Sequence, residues 1–208
     1  VAKIPVVARP ERADQAGSQG TALRILAAAE RLVQTRGFNG FSYADIAAEL
    51  GITTAALHYH FATKAELGEA LIAHYSRDFS ATLARLDAEL ARPADRLTGY
   101  SNVYLEVLRT ERMCLCGMLA AEYQTLPEPM QHAVVRFFDA NETWLEHVLE
   151  QGQQDGTLRL HGPTRDIARM IIGGLEGAMM VARACGDLRR FQDAATRLIG
   201  AITADRDE

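Results

Sequence analysis

Between Thr21 and Arg36 apolar side chains recur at Ala22, Ile25, Leu26, Ala29, Leu32 and Val33. That alternating three- and four-residue step is the pattern of a helix with one buried face. Gly37 ends it, and Phe38 and Phe41 follow in a loop placed to plug apolar faces between helices. Ser42 then stands where a hydroxyl caps a new helix, whose buried side is Ile46, Ala47 and Leu50 and whose stop is Gly51. A second short helix opens at Thr54, with Ala55, Ala56, Leu57 and Phe61 as its apolar members. Thr63-Lys64-Ala65-Glu66 reads as a capping box. It starts a longer helix through Leu67, Leu71, Tyr75, Phe79, Leu83 and Leu86, which Pro93 interrupts.

The helical period continues over 94–109, 112–124, 128–151, 163–185 and 188–202, with a polar connection over 152–162 and no alternating strand pattern. The first twenty residues hold neither period and end in Gly17-Ser18-Gln19-Gly20, so they are expected to form a flexible arm. The expected fold is all-α: an arm over 1–20, a three-helix unit over 21–66 and a larger helical body over 67–208.

Composition narrows the class. With 208 residues, 48% of them apolar, the chain buries a substantial core without disulfide staples. Its three cysteines, Cys114, Cys116 and Cys185, show no CxxC spacing, which fits a reducing compartment. The most apolar run, Met170 to Val181, is broken by Glu176, and no secretory signal or membrane span is visible. A cytoplasmic location is therefore expected. The net charge of -5 is unevenly shared: residues 1–66 carry seven basic and six acidic side chains, and the remainder carries fifteen and twenty-one. A small surface tolerant of phosphate joined to an acidic body fits that split. HExxH, GxSxG and a glycine-rich phosphate loop are all missing, so neither an enzyme nor a cofactor or metal is expected.

Two short capped helices separated by Gly51, Ile52 and Thr53 make a helix-turn-helix, whose second helix presents a polar edge to a DNA groove. On that edge Thr53 and Thr54 are candidates for phosphate, Tyr59 and Lys64 for the backbone at the far end, and Thr54, Ala55 and His58 for base edges. Residues 21–67 resemble the DNA-binding domain of the TetR family of bacterial transcription regulators. The resemblance rests on the alanine-rich helix-turn-helix, its ending Leu57-His58-Tyr59-His60-Phe61, and the following Thr63-Lys64-Ala65-Glu66-Leu67. It implies that Ser42, Thr53, Thr54, Tyr59 and Lys64 face DNA. It also implies a homodimer on double-stranded operator DNA, more often a repressor, released by a small organic effector. Two departures stand out: Thr54 replaces a frequent Lys or Arg, and His58 a frequent Tyr.

In the body, Ile167, Met170, Ile171, Gly174, Leu175, Ala178 and Val181 form one apolar helix face, and Phe191, Ala194, Ala195, Leu198 and Ile202 another. Together they are expected to build a four-helix interface between two copies. Met113, Met118, Phe137, Phe138, Trp144 and Leu145 are candidate walls of an effector cavity, oriented by Tyr104, Tyr123 or Asn141, with Cys114 beside it. Cys114-Leu115-Cys116-Gly117, followed by Glu122 and Leu126-Pro127, resembles a subgroup of the family in which some members respond to electrophiles or oxidants. That leaves a thiol-based sensor using Cys114 or Cys116, helped by Arg109 or Arg112, as an alternative. A disulfide between the two has poor geometry, because two helical steps separate the sulfurs by about 200° around the axis. A helical adaptor without specific DNA binding is the other alternative, separated by retention of duplex DNA.

Overall fold

The computed structural model describes residues 11–203. Nine α-helices occur among them: α1 (Glu11–Arg36), α2 (Tyr43–Leu50), α3 (Thr54–His60), α4 (Lys64–Glu89), α5 (Pro93–Arg109), α6 (Leu115–Ala121), α7 (Glu128–Gln154), α8 (Thr164–Cys185) and α9 (Leu188–Gly200). A 3-10 turn over Tyr123–Thr125 links α6 to α7. The only regular pairing outside helices among the described residues is a single antiparallel bridge, Leu158 with Thr203, which ties the connection before α8 to the end of α9.

Two expectations change. Of the arm foreseen over 1–20, residues 1–10 lie outside the described residues, while 11–20 continue α1 toward the N-terminus. Gly17 and Gly20 weaken that extension by about 1 kcal/mol each relative to Ala, but the turns that follow are held by the buried Ile25, Ala28, Ala29 and Val33. The helix foreseen over 112–124 shrinks to α6. Glu111 adopts a left-handed φ of 59°, reversing the chain after α5. The N–H of Met113 then bonds the carbonyl of Gln34 on α1 at 3.1 Å instead of continuing a helix.

The packing follows from the apolar stripes. Ile25, Ala28, Ala29 and Val33 of α1 are fully buried, and α1 packs against α2, α4 and α6. Ile46 of α2 and Leu57 of α3 are also fully buried, pinning the two short helices to that unit. Ile46 and Leu57 each contribute about 1.5–3 kcal/mol on burial. Long α4 touches α1 near one end of the molecule and α7 in the body, where α5, α7, α8 and α9 pack together. The buried residues form one continuous core.

Candidate DNA-reading edge and effector core

The capping chemistry of α2 and α3 sets the outward edge. Both the N–H and the hydroxyl of Ser42 donate to the Asp45 carboxylate, at 2.7 and 2.6 Å. These bonds hold the Asp45 carboxyl below the usual carboxylate range. Gly51 closes α2 in the left-handed region at φ 65°, a conformation that costs glycine nothing. Thr53 then caps α3, its hydroxyl accepting from the Ala56 N–H at 3.1 Å. With Leu57 facing inward, Thr54, Ala55, His58 and Tyr59 share the opposite face and are all exposed, Tyr59 by 81%. The His58 ring lies 4.7 Å from that of Tyr43, and its Nδ1 sits 3.0 Å from the Ala62 carbonyl. A carbonyl only accepts, so Nδ1 carries a proton, and Nε2 is the ring nitrogen free to accept in the tautomer with that single proton.

Lys64 requires a correction. Its Nζ turns inward and donates to the carbonyls of Phe38 and Phe41 at 2.6 and 2.5 Å. It lies over both phenyl rings, 4.7 and 4.2 Å from their centroids. Desolvation lowers its pKa. The ammonium is committed to the loop between α1 and α2 rather than extended toward a phosphate. Ser42 is constrained similarly, since its hydroxyl proton already belongs to Asp45.

The body holds a cluster of aromatic rings centred on Phe79. Its centroid is 6.1 Å from Tyr75, 6.2 Å from both Tyr100 and Tyr104, and 5.2 Å from Phe137. Trp144 stacks on Tyr100 at 5.6 Å. Tyr100 donates to Asn141 Oδ1 at 3.3 Å, so the 3.0 Å contact between the Tyr100 and Tyr104 hydroxyls has Tyr104 as donor. Asn141 in turn donates to the Phe137 carbonyl at 2.8 Å. A groove of about 510 Å³ between α4 and α7, lined among others by Ile72, Leu83, Ala133 and Asn141, reaches Phe79 and Phe137 from outside.

Cys114 adjoins this cluster as the N-cap of α6. Its sulfur accepts from the Gly117 N–H at 3.5 Å and from the Tyr75 hydroxyl at 3.8 Å. Next to it stands Glu176 of α8, the one charge within the apolar run from Met170 to Val181. Burial pushes the Glu176 carboxyl up to about 7, with the Cys114 thiol pulling the other way. The carboxylate lies against the backbone of Gly117, where an added Cβ would fall 2.2 Å from Oε2. Cys114 and Cys116 are both buried, and burial first and Glu176 second push their thiols well above the ordinary range. The basic help expected for them is not there: Arg109 pairs with Glu106 on the surface, and Arg112 acts on Glu30.

Of the residues expected at the effector site, Tyr104, Phe137, Asn141 and Trp144 come together, with Cys114 adjacent through Tyr75. Met113 is buried and its backbone joins α1, while Met118 is half-buried against the core. Tyr75, Phe79, Tyr100 and Glu176 were missed. A lone carboxylate inside the most apolar stretch of the chain was the available signal for Glu176. The expected dimer contacts also need correction: Ile171, Leu175, Phe191 and Ala195 are buried in their own chain's core, while Ala178 and Leu198 are half-buried. The large exposed apolar side chains on these helices are Met170, Met180, Val181 and Leu188, and Ala194 of the expected face is exposed as well.

The reading head and the body meet at the end of α1. Arg183 of α8 donates to the carbonyls of Gln34 and Thr35 at 3.0 and 2.7 Å, and the Met113 N–H adds a second bond to Gln34. Glu122, just after α6, accepts from the N–H groups of Phe38 at 2.6 Å and Asn39 at 3.3 Å. Thr125 accepts from the Asn39 side chain at 2.8 Å. Carbonyls that α1 leaves unpaired in its last turn are thereby satisfied by the body.

A capped helix-turn-helix with an exposed edge, carried on a larger helical domain with an aromatic interior, defines a DNA-binding regulator. The model of bacterial regulatory proteins of the tetR family matches residues 25–71, and the tetracyclin repressor-like C-terminal domain matches residues 93–198. The chain belongs to the TetR family of transcriptional regulators, DNA-binding homodimers that are not enzymes. A solved TetR-family regulator from Agrobacterium tumefaciens superposes with a TM-score of 0.87 at 34% identity, covering 90% of this chain and 100% of that one. The transcriptional regulator AcuR of Cereibacter sphaeroides is 27% identical over 88% of this chain and 84% of its own. The transcriptional repressor DhaR of a Mycobacterium species is 23% identical over 70% and 73%. Among the described residues no group of three or more His, Cys, Asp or Glu could hold a metal ion, and no helix is long and apolar enough to cross a membrane.

Proposed function

We propose that the chain is a ligand-responsive repressor whose two copies read the halves of a palindromic operator, about 34–36 Å apart. Thr54, Ala55 and His58 meet base edges, with His58 Nε2 accepting from an exocyclic amino group of adenine or cytosine. Thr53 and Tyr59 hold the phosphate backbone, and Ser42 and Lys64 act from behind by fixing the caps and loop that aim α3. Met170, Met180 and Val181 face the partner copy across α8. Repression rests on the family resemblance and on the name that DhaR carries.

The observation that carries ligand response is the grip of α6 and α8 on residues 34–39. An effector wedged beside Cys114 separates α6 from α8, and each helix pulls on its own bonds to the end of α1. The effector must bind the free and DNA-bound forms unequally, or it shifts nothing. The thiol alternative has less support, because buried thiols held in the protonated form are poor nucleophiles. Selection of bound duplexes from a randomised library by the full chain tests operator recognition. Enrichment of an inverted repeat, with preferences altered by Thr54→Ala and His58→Ala, is expected; recovery of no enriched sequence by the folded dimer overturns it.

A further inference from the structure

Two buried side-chain oxygens have no hydrogen-bond partner among the described residues: Gln34 Oε1, at the joint between head and body, and Glu176 Oε1. Glu176 is the more informative, because four of the five acidic protons around it have an assigned acceptor. Its charge raises the pKa of Tyr75 on α4, Tyr100 and Tyr104 on α5, Cys114 at the N-cap of α6 and Cys116 within α6. All five are neutral acids. The Tyr75 hydroxyl proton goes to Cys114, that of Tyr100 to Asn141 and that of Tyr104 to Tyr100. The hydrogen bond from the Cys114 thiol and burial itself are the influences acting on the Glu176 carboxyl, and no basic side chain is among them. A buried carboxylate without a counter-charge is costly, and Tyr75, bonded to Cys114 next to it, packs against Phe79 and Phe137 in a cluster of rings whose faces attract cations.

We propose that Glu176 is the recognition point for an effector carrying a protonated amine. The ammonium donates to Oε1 between α6 and α8, and its apolar remainder lies along Tyr75, Phe79 and Phe137 toward the groove between α4 and α7. Phe79 and Phe137 both line that groove and contact Tyr75, whose hydroxyl bonds Cys114 next to Glu176, so the path from the groove to the carboxylate requires these three rings to move aside. An anionic effector is disfavoured by the same charge. This inference rests on the ligand-responsive reading and names the chemistry of its ligand.

The test is calorimetric titration of the full chain, without DNA, with alkylammonium ions from methylammonium to phenethylammonium and with benzylammonium against the neutral benzyl alcohol. Saturable binding of at least one ammonium is expected, with benzylammonium favoured over benzyl alcohol by about tenfold or more, the worth of one charge-assisted contact. Glu176→Gln removes that preference while binding operator as the wild type does. A second readout needs no variant: ammonium affinity of the wild type falls as the solution is acidified below about 7, where Glu176 takes a proton while the amine, the tyrosines and the thiols keep theirs. Binding by none of the amines, equal binding of benzyl alcohol, or an affinity unchanged by acidification overturns the proposal. Because binding is read on the free protein, these outcomes leave operator recognition standing, and a failure of operator recognition leaves them interpretable.

Discussion

Removing the Glu122 carboxylate should loosen the DNA-binding unit from the body by a predictable amount. The carboxylate accepts from two consecutive backbone N–H groups, of which Phe38 belongs to a residue only 5% exposed and Asn39 to an exposed one. Water can replace the bond to Asn39 but reaches Phe38 poorly. The loss in Glu122→Ala is therefore close to one charge-assisted hydrogen bond with its donor left buried, about 2 kcal/mol. For a chain of this size that corresponds to a fall of about 4–8 °C in Tm. Glu122→Gln retains an acceptor oxygen and should lose about half as much. Calorimetric melting at one fixed protein concentration provides the measurement, since dimerisation otherwise moves Tm. Hydrogen exchange at the Phe38 amide should accelerate in parallel. A Glu122→Ala protein melting within about 1 °C of the wild type, with Phe38 still protected, would refute the claim that this contact holds the head to the body.

Further outcomes follow from other contacts. Because the folded state raises the Glu176 carboxyl from 4.5 to about 7, it binds the proton more tightly than the unfolded chain. Wild-type stability should therefore decline as pH rises across that interval. Glu176→Gln should exceed the wild type by about 3 kcal/mol above it and match it in acid, as urea unfolding at the two extremes would reveal; a gain independent of pH would contradict the assignment. Lys64→Ala should lower operator affinity and stability without changing the dependence of affinity on salt, since its ammonium is already bound to two carbonyls; a slope reduced by about one counterion would return Lys64 to the phosphate backbone. Tyr59→Phe should weaken binding to all duplexes about equally, by about tenfold or less, and a changed sequence preference in a selection experiment would assign it to base reading instead. Met180→Glu should yield monomers in sedimentation, because it places a charge on the exposed apolar face of α8; an intact dimer would move the interface elsewhere.

By itself the sequence determined the elements whose causes are local. The apolar spacing of Ile25, Ala29, Leu32 and Val33, the caps at Ser42, Thr53 and Thr63, and the stop at Gly51 lie within a few residues of the bonds they make. The helix-turn-helix and its outward edge of Thr54, Ala55, His58 and Tyr59 were legible for that reason. Periodicity, however, says which face of a helix is buried and not against what. Ile171, Leu175, Phe191 and Ala195 were correctly apolar but are covered by their own chain, leaving Met170, Met180 and Val181 outside. Lys64 and Glu122 depend on loop groups 23 to 84 residues away, and Arg183 on carbonyls 148 and 149 residues away. Tertiary structure alone decided that Lys64 points inward and that a carboxylate rather than an arginine faces Cys114, because the cost of burying a charge depends on what the fold packs around it.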